Sequence, residues 1–264
     1  MGQLCFTMKH GICALSIVPV RAEASDKSEL VSQLLFGDLY KVVENRKKWL
    51  RIRMQYDGYE GWIDRNQHNA IDEKTFVDLE NAATAYVYDT VNMLAINGDD
   101  SHSIILQGST LYHPNNSTYW WFNKRIKSAG QVISQPQSKE KLVEIAFTYL
   151  NAPYLWGGRN PFGIDCSGFS QIVYKLGGHK IPRDAKDQAL LGEPLSFIEE
   201  AEPGDLAFFD NAEGLIVHVG ILLENNFIIH ASGKVRLDRL DQHGIYNAET
   251  REHTHRLRVI KKIF

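Results

Sequence analysis

The segment Asp165-Cys166-Ser167-Gly168-Phe169 sets a thiol directly after a carboxylate that can cap a helix. Phe169, Ile172, Val173 and Leu176 follow at spacings i, i+3, i+4 and i+7. A helix is therefore expected from about Cys166 to Leu176, with Asp165 as its N-cap and Gly177 as its C′ residue. A thiol in that first turn faces unpaired backbone N–H groups and the positive end of the helix dipole, which favour thiolate and lower the pKa. Thiolate is the nucleophilic form, and such a nucleophile needs a base and a group that orients the base. Two histidines suit those roles. His218 opens the apolar run His218-Val219-Gly220-Ile221-Leu222-Leu223 and His230 closes Phe227-Ile228-Ile229-His230, with Glu224-Asn225-Asn226 between them. A three-residue loop places Gly220 opposite His230 and makes His218 its diagonal neighbour on one face; a two-residue turn would send the rings to opposite faces. The odd-length loop is expected, with His218 taking the thiol proton and returning it to a leaving amine while His230 fixes its tautomer. A lone cysteine in a helix is ordinarily a small buried hydrophobe. It is the occurrence of all these features in one order that argues for covalent catalysis.

The elements that must hold these groups read in two textures. Residues 138 to 264 begin with helices: Ser138 caps a helix carrying Leu142, Ile145, Ala146 and Tyr149, and a glycine-rich loop, Trp156-Gly157-Gly158, precedes Asp165. After the turn Pro203-Gly204-Asp205, strands are expected at Leu206 to Phe209, Val217 to Leu223, Phe227 to Ala231 and Arg256 to Phe264. Helices followed by strands argue for an α+β domain with an antiparallel sheet. Residues 9–72 instead show short apolar runs cut by turn residues: a first strand through Ile12, Leu15, Ile17, Val18 and Val20, then Leu34-Leu35-Phe36 before Gly37-Asp38, Leu39 to Val43, Trp49 to Met54 and Gly61-Trp62-Ile63. Residues 80–135 repeat that texture more loosely at Ala85 to Tyr88, Ile104 to Ser109 and Tyr119-Trp120-Trp121-Phe122, aromatics expected in the core. Ser134 to Ser138, with Pro136, is the linker to the third domain, 136–264.

Bulk properties narrow the partners. The 264 residues are 44% hydrophobic and 23% charged, and 29 basic against 32 acidic residues leave a formal charge of -3. Without a basic cluster, a nucleic-acid or anionic-membrane partner is not expected; the expected partner is a small peptide, bound by a monomer. Cys5, Cys13 and Cys166 are too few and too scattered for a disulfide framework or a metal site, which favours a reducing, cytoplasmic setting over a periplasmic one. The stretch Met1 to Val20 lacks an unbroken apolar core, and translation from Met8 would leave residues 1–7 as an unstructured extra. His253-Thr254-His255 finds no carboxylate or third ligand at metal-binding spacing, so a surface strand and no metal are expected there.

Set side by side, Tyr154-Leu155-Trp156-Gly157-Gly158, Asp165-Cys166-Ser167-Gly168-Phe169, Pro182-Arg183-Asp184, Pro203-Gly204-Asp205-Leu206, His218-Val219-Gly220-Ile221 and Ile229-His230-Ala231 resemble the successive signatures of the NlpC-type cell-wall cysteine peptidases. Phe36-Gly37-Asp38, Trp49-Leu50-Arg51-Ile52 and Asp57-Gly58-Tyr59-Glu60-Gly61-Trp62-Ile63 resemble a bacterial SH3 domain. The resemblance implies a papain-like peptidase domain, helices packed on an antiparallel sheet, behind two SH3-like β-barrels. It also implies a Cys166, His218, His230 triad without cofactor or metal. The combination is similar to γ-D-glutamyl-L-diamino acid endopeptidases that recycle muropeptides, in which the first barrel reads a free N-terminal L-Ala. That implies a role for Tyr59, otherwise a surface aromatic, and for Glu23 or Glu29 against the substrate ammonium. Tyr154, Asp165 and Ser167 match groove positions: Tyr154 for the oxyanion or the D-glutamate, Asp165 for an amine. Arg183 suits a substrate carboxylate or a structural salt bridge equally. Some relatives carry serine where this chain has Ala185, which removes one polar contact. The alternatives are a non-catalytic wall-binding protein, or a cysteine amidase or acyltransferase on the same scaffold.

Overall fold

The computed structural model describes residues 9–96, 102–115, 118–121 and 124–264; Cys5, Met8 and Phe122 lie outside the described residues. The chain divides into two compact units, Met1–Ser134 and Gln135–Phe264.

In the first unit, the expected opening strand is two strands, His10–Ile12 and Ile17–Arg21. Cys13 to Ser16 intervene because the chain must turn there: Cys13 N–H bonds Asp38 O at 2.9 Å while its carbonyl accepts from Gly37 N at 2.8 Å. A seven-stranded sheet runs in the order Leu30–Leu35, Ile17–Arg21, Glu60–Asp64, Trp49–Met54, Leu39–Asn45, His10–Ile12, Ala70–Ile71. Its core is Cys13, Val18, Val20, Leu34, Tyr40, Ile52 and Ile63, with the half-buried Tyr59 against it. A second sheet runs His102–Leu106, Val91–Ile96, Lys124–Ser128, Thr118–Trp121, Thr110–Asn115, Thr84–Val87, Val132–Ile133. Strand for strand, this is the order of the first sheet, a topological repeat.

The two sheets share residues. Phe36 belongs to the core of the second sheet with Val87, Ile105 and Leu111, and stacks on Trp121 at 4.3 Å. Gly37 sits at φ 83°, where a Cβ would lie 2.0 Å from Thr110 O, so the turn after Phe36 admits only glycine. Between the sheets lies a helix the sequence reading omitted, Glu73–Glu80, capped by Asp72 through Thr75 N at 2.7 Å and burying Phe76 and Leu79.

The second unit carries the helix Lys139–Phe147, capped by Ser138, and the helix Cys166–Leu176, capped by Asp165 through Gly168 N at 2.6 Å. The helix ends at Leu176 as expected, but its left-handed C′ position falls one residue later than expected. Gly177 keeps φ -70°, and Gly178, at φ 86°, takes the left-handed position, with Pro136 Cα 2.8 Å from where its Cβ would be. The sheet is longer than expected and closes. Its order is Glu193–Leu195, Glu252–Lys262, Leu206–Asp210, Ile216–Leu222, Phe227–Ser232, Lys234–Asp241, Gly244–Asn247, and the last strand pairs back onto Glu252–Lys262. Six strands thus form a closed ring around Ala207, Phe209, Leu222, Ile228, Leu240 and Ile245.

Candidate active site

The thiol is placed by the first turn of its helix and by the loop before it. Gly158 and Gly168 let helix and loop approach: a Cβ on Gly168 would lie 2.3 Å from Gly158 O, and one on Gly158 2.2 Å from Gly163 O. The Asp165 carboxylate ties this together, accepting from Gly157 N at 2.8 Å and Gly168 N at 2.6 Å. Arg183 completes the clamp. Its Nη2 meets Asp165 Oδ2 at 2.5 Å, and its Nη1 donates to Asp165 Oδ1 at 3.0 Å and to Ser167 Oγ at 2.9 Å. Arg183 is only 2% exposed, so its guanidinium is buried against Asp165. Ala185, also buried, starts the short helix Ala185–Gln188, whose Gln188 holds Ser170 Oγ at 2.7 Å and Ser167 O at 3.0 Å.

Hairpin register brings the histidines together. Ile221 pairs with Ile229 and Leu222 with Ile228, and Leu223 N–H bonds Phe227 O at 2.9 Å across a loop of Glu224, Asn225 and Asn226. The loop has the odd length expected, with Asn225 and Asn226 at φ 56° and 58°, a left-handed geometry that asparagine tolerates. Continuing the register puts Gly220 opposite His230, and a Cβ there would press within 2.9 Å of His230 Cβ. The freed space lets His218 Nε2 reach His230 Nδ1 at 2.8 Å.

Behind His230 lies a residue that the sequence reading did not single out. Asp238, on Lys234–Asp241, meets His230 Nε2 at 3.0 Å and is gripped by Arg236 at 2.7 Å through Nε and 3.0 Å through Nη2. Burial would raise its carboxyl, but the hydrogen bonds from His230 and Arg236 outweigh burial and hold it below the usual carboxylate range. A second unanticipated residue is His255, whose ring stacks on His218 with centroids 4.1 Å apart. The segment expected to lie on the surface therefore turns one histidine inward. Burial, with His230 nearby, holds His255 down to about 4, so it packs as a neutral ring.

Burial acts against the helix dipole at the thiol. Burial pushes the Cys166 thiol up to about 12, reinforced by the Asp165 charge, and backbone donors at Val219 and Ser167 together with Arg183 offset only part of it. Burial, then His230 and His255, hold His218 well below the ordinary histidine range. Desolvation thus opposes the helix dipole at Cys166 and favours the neutral form of each group. Alkylation of Cys166 by iodoacetamide should accordingly be slower at neutral pH than that of an exposed cysteine and climb steadily above pH 9. A rate plateau below pH 7 would instead reveal a resting thiolate–imidazolium pair. Tyr154, half-buried, has its phenol raised to about 12 by burial and by the adjacent Cys166 and Asp165, so it remains a hydrogen-bond donor.

Tyr59 and Glu23 belong to the first unit. Tyr59 N–H bonds Asp57 Oδ1 at 2.9 Å in the turn before Glu60–Asp64, with its ring partly against the barrel core, and Glu23 is exposed beside Ser28.

The NlpC/P60 family profile matches residues 151–255, which include Cys166, His218 and His230, and the bacterial dipeptidyl-peptidase Sh3 domain profile matches residues 20–67. Dipeptidyl-peptidase 6 of Lysinibacillus sphaericus is 30% identical over 257 residues, covering 86% of this chain and 91% of that protein. The chain belongs to the NlpC/P60 family. It is a cysteine peptidase with a papain-like domain behind SH3-like modules. The gamma-D-glutamyl-L-lysine dipeptidyl-peptidase of Bacillus subtilis is 27% identical over 221 residues, covering 76% of this chain and 71% of that protein. The crystal structure of an NlpC/P60 family protein from Bacillus cereus shares the fold across 96% of this chain and 99% of its own, with a TM-score of 0.81 at 20% identity.

Proposed function

We propose that this NlpC/P60 peptidase cleaves the bond between γ-D-glutamate and a diamino acid in short cell-wall peptides that begin with a free L-Ala. The observation that carries the proposal is the hydrogen-bonded series His218, His230, Asp238 in a chain with two relatives, matched over more than three quarters of its length, that are named for the gamma-D-glutamyl-L-lysine bond. The series fixes proton positions. An ionised Asp238 accepts only, so His230 carries its proton on Nε2 and presents a lone pair at Nδ1. His218 must then donate from Nε2, leaving its own Nδ1 as the basic atom for Cys166.

On this reading Cys166 Sγ attacks the γ-carbonyl carbon as its proton passes to His218 Nδ1. The oxyanion is met by backbone N–H groups at the helix N-terminus and by the Tyr154 hydroxyl. Collapse breaks the C–N bond, and the leaving amine takes the proton from His218 Nδ1. A water, deprotonated by His218, then hydrolyses the thioester and frees the dipeptide and the thiol. Because burial holds His218 below the usual histidine range, the acid limb of kcat/KM is expected below the ordinary histidine value of 6.5; a limb at or above it would contradict this environment.

Tyr59, with Glu23, is the proposed reader of the substrate ammonium, a role supported by the resemblance to peptidases whose SH3-like domain recognises L-Ala. The test is release of L-Ala-γ-D-Glu from L-Ala-γ-D-Glu-L-Lys and from its meso-diaminopimelate counterpart, followed by mass spectrometry with Cys166→Ala as control. N-acetylation of the tripeptide should slow release by more than tenfold, the scale of losing one charge-assisted contact of about 1.5–3 kcal/mol. Equal turnover of an α-linked tripeptide, or undiminished release by the control, would overturn the proposal.

A further inference from the structure

The strand Glu252–Lys262 brings one histidine inward to His218; two residues earlier, His253 lies outward in a different cluster. We propose that Asp241, His243 and His253 form a binding site for a divalent transition-metal ion with zinc-like ligand preferences, separate from the peptidase centre. Sequence spacing found no carboxylate for His253 because the partner arrives through the fold. Asp241 and His243 flank the turn between Lys234–Asp241 and Gly244–Asn247, and Tyr246 on the latter strand pairs directly with His253.

The geometry favours this set. His253 Nε2 lies 2.8 Å from Asp241 Oδ2, His243 Nδ1 lies 3.6 Å from Asp241 Oδ1, and the three ligand atoms all fall within 4.8 Å of one another. Zinc bonds of about 2.0–2.1 Å in a tetrahedron put neighbouring ligand atoms roughly 3.3 Å apart, inside that span. The frame is already set. Asp241 Oδ1 accepts from His243 N at 2.8 Å and Gly244 N at 3.2 Å, and Gly244, at φ 139°, lies so close to the neighbouring strand that a Cβ would fall 1.8 Å from His255 O. Only the exposed imidazoles need to rotate. Two imidazoles and one carboxylate with a fourth position open to water suit zinc or cobalt rather than calcium or magnesium, which take oxygen ligands.

The competing explanation is an ordinary ion pair between Asp241 and His253. Their side chains are 48% and 40% exposed, and such a surface pair contributes little, so an incoming ion displaces it at small cost. An ion bound here ties the hairpin turn to the strand that carries His255.

The test uses the full chain with Cys166→Ala, which removes the one exchangeable active-site thiol as a competing ligand. Calorimetric titration with zinc chloride should give one site per chain, and cobalt(II) should develop the visible bands of four-coordinate nitrogen and oxygen ligation. His243→Ala and His253→Gln should each weaken zinc binding by more than the ~10–100-fold that loss of an outer-shell partner costs. Asp241→Asn, which preserves the carbonyl acceptor for the turn, should weaken it similarly, with melting temperatures unchanged in the absence of metal. Zinc should raise the melting temperature of the parent alone, since it binds the folded state. Absence of stoichiometric binding, or binding that survives all three substitutions, overturns the site; the latter would place the ion on the His218, His230 and His255 cluster instead.

Discussion

Asp238→Asn is expected to lower kcat by about 10³–10⁴ with little change in KM, a loss of the size seen when the orienting carboxylate of a catalytic triad becomes an amide. The argument concerns protons more than charge. Arg236 presents a fork of donors to both Asp238 oxygens, and His230 Nε2 shares Oδ2 with Arg236 Nε. An asparagine has one acceptor oxygen. If that oxygen takes the Oδ1 position opposite Arg236 Nη2, the amide N–H₂ stands at the Oδ2 position facing His230 Nε2, which must become an acceptor and move its proton to Nδ1. That proton then points at His218 Nε2, and His218 is left protonated on Nδ1, the atom needed to take the thiol proton. The variant would bind peptide yet hold the wrong tautomer. Asp238→Ala removes the bias without reversing it, so it should be the less damaged of the two. Steady-state kinetics on the tripeptide and ¹⁵N shifts of His218 and His230 together test this. A kcat within a few-fold of the parent, or unchanged tautomers, would mean that Asp238 only packs.

The parts of this site that the sequence discloses are those whose partners are local. Asp165, Cys166 and the apolar spacing to Leu176 lie within three helical turns, and the His218–His230 register depends only on counting Glu224, Asn225 and Asn226. Asp238 and His255 depend on pairings that no local pattern encodes. Lys234–Asp241 buries Val235, Asp238 and Leu240, so its period-two alternation slips between Val235 and Asp238, and the run reads as charged loop. Glu252–Lys262 is mostly polar, and its one inward histidine is set by ring closure against Gly244–Asn247. A buried aspartate following a salt-bridging arginine two residues before it was the signal available, but only with the hairpin already in hand. The second SH3-like sheet was legible as texture; that it repeats the first strand by strand emerges from the pairing order. The surroundings of the thiol are legible only in part for a related reason. A helix terminus can be read from sequence, whereas the desolvation that opposes it comes from the tertiary burial of Cys166.

Arg183→Met should destabilise the peptidase unit by about 3–5 kcal/mol, the cost of leaving a buried carboxylate without its cation. Asp165 keeps Gly157 N and Gly168 N as donors, which favours the lower end of that range. Methionine preserves most of the aliphatic volume, so the loss reports the ion pair more than a cavity. Arg183→Lys should recover little. One ammonium cannot span both Asp165 oxygens and Ser167 Oγ from the same position. The double change Asp165→Asn with Arg183→Met is the informative partner, because the amide oxygen can still cap Gly168 N while no charge remains buried. It should be more stable than Arg183→Met alone, a coupling that a double-mutant cycle in urea measures directly. The cycle also decides between the two roles open to Arg183. A substrate-binding arginine would raise KM when removed and cost under about 1 kcal/mol in folding, whereas the clamp loses stability first and, because Asp165 caps the helix that carries Cys166, loses kcat with it.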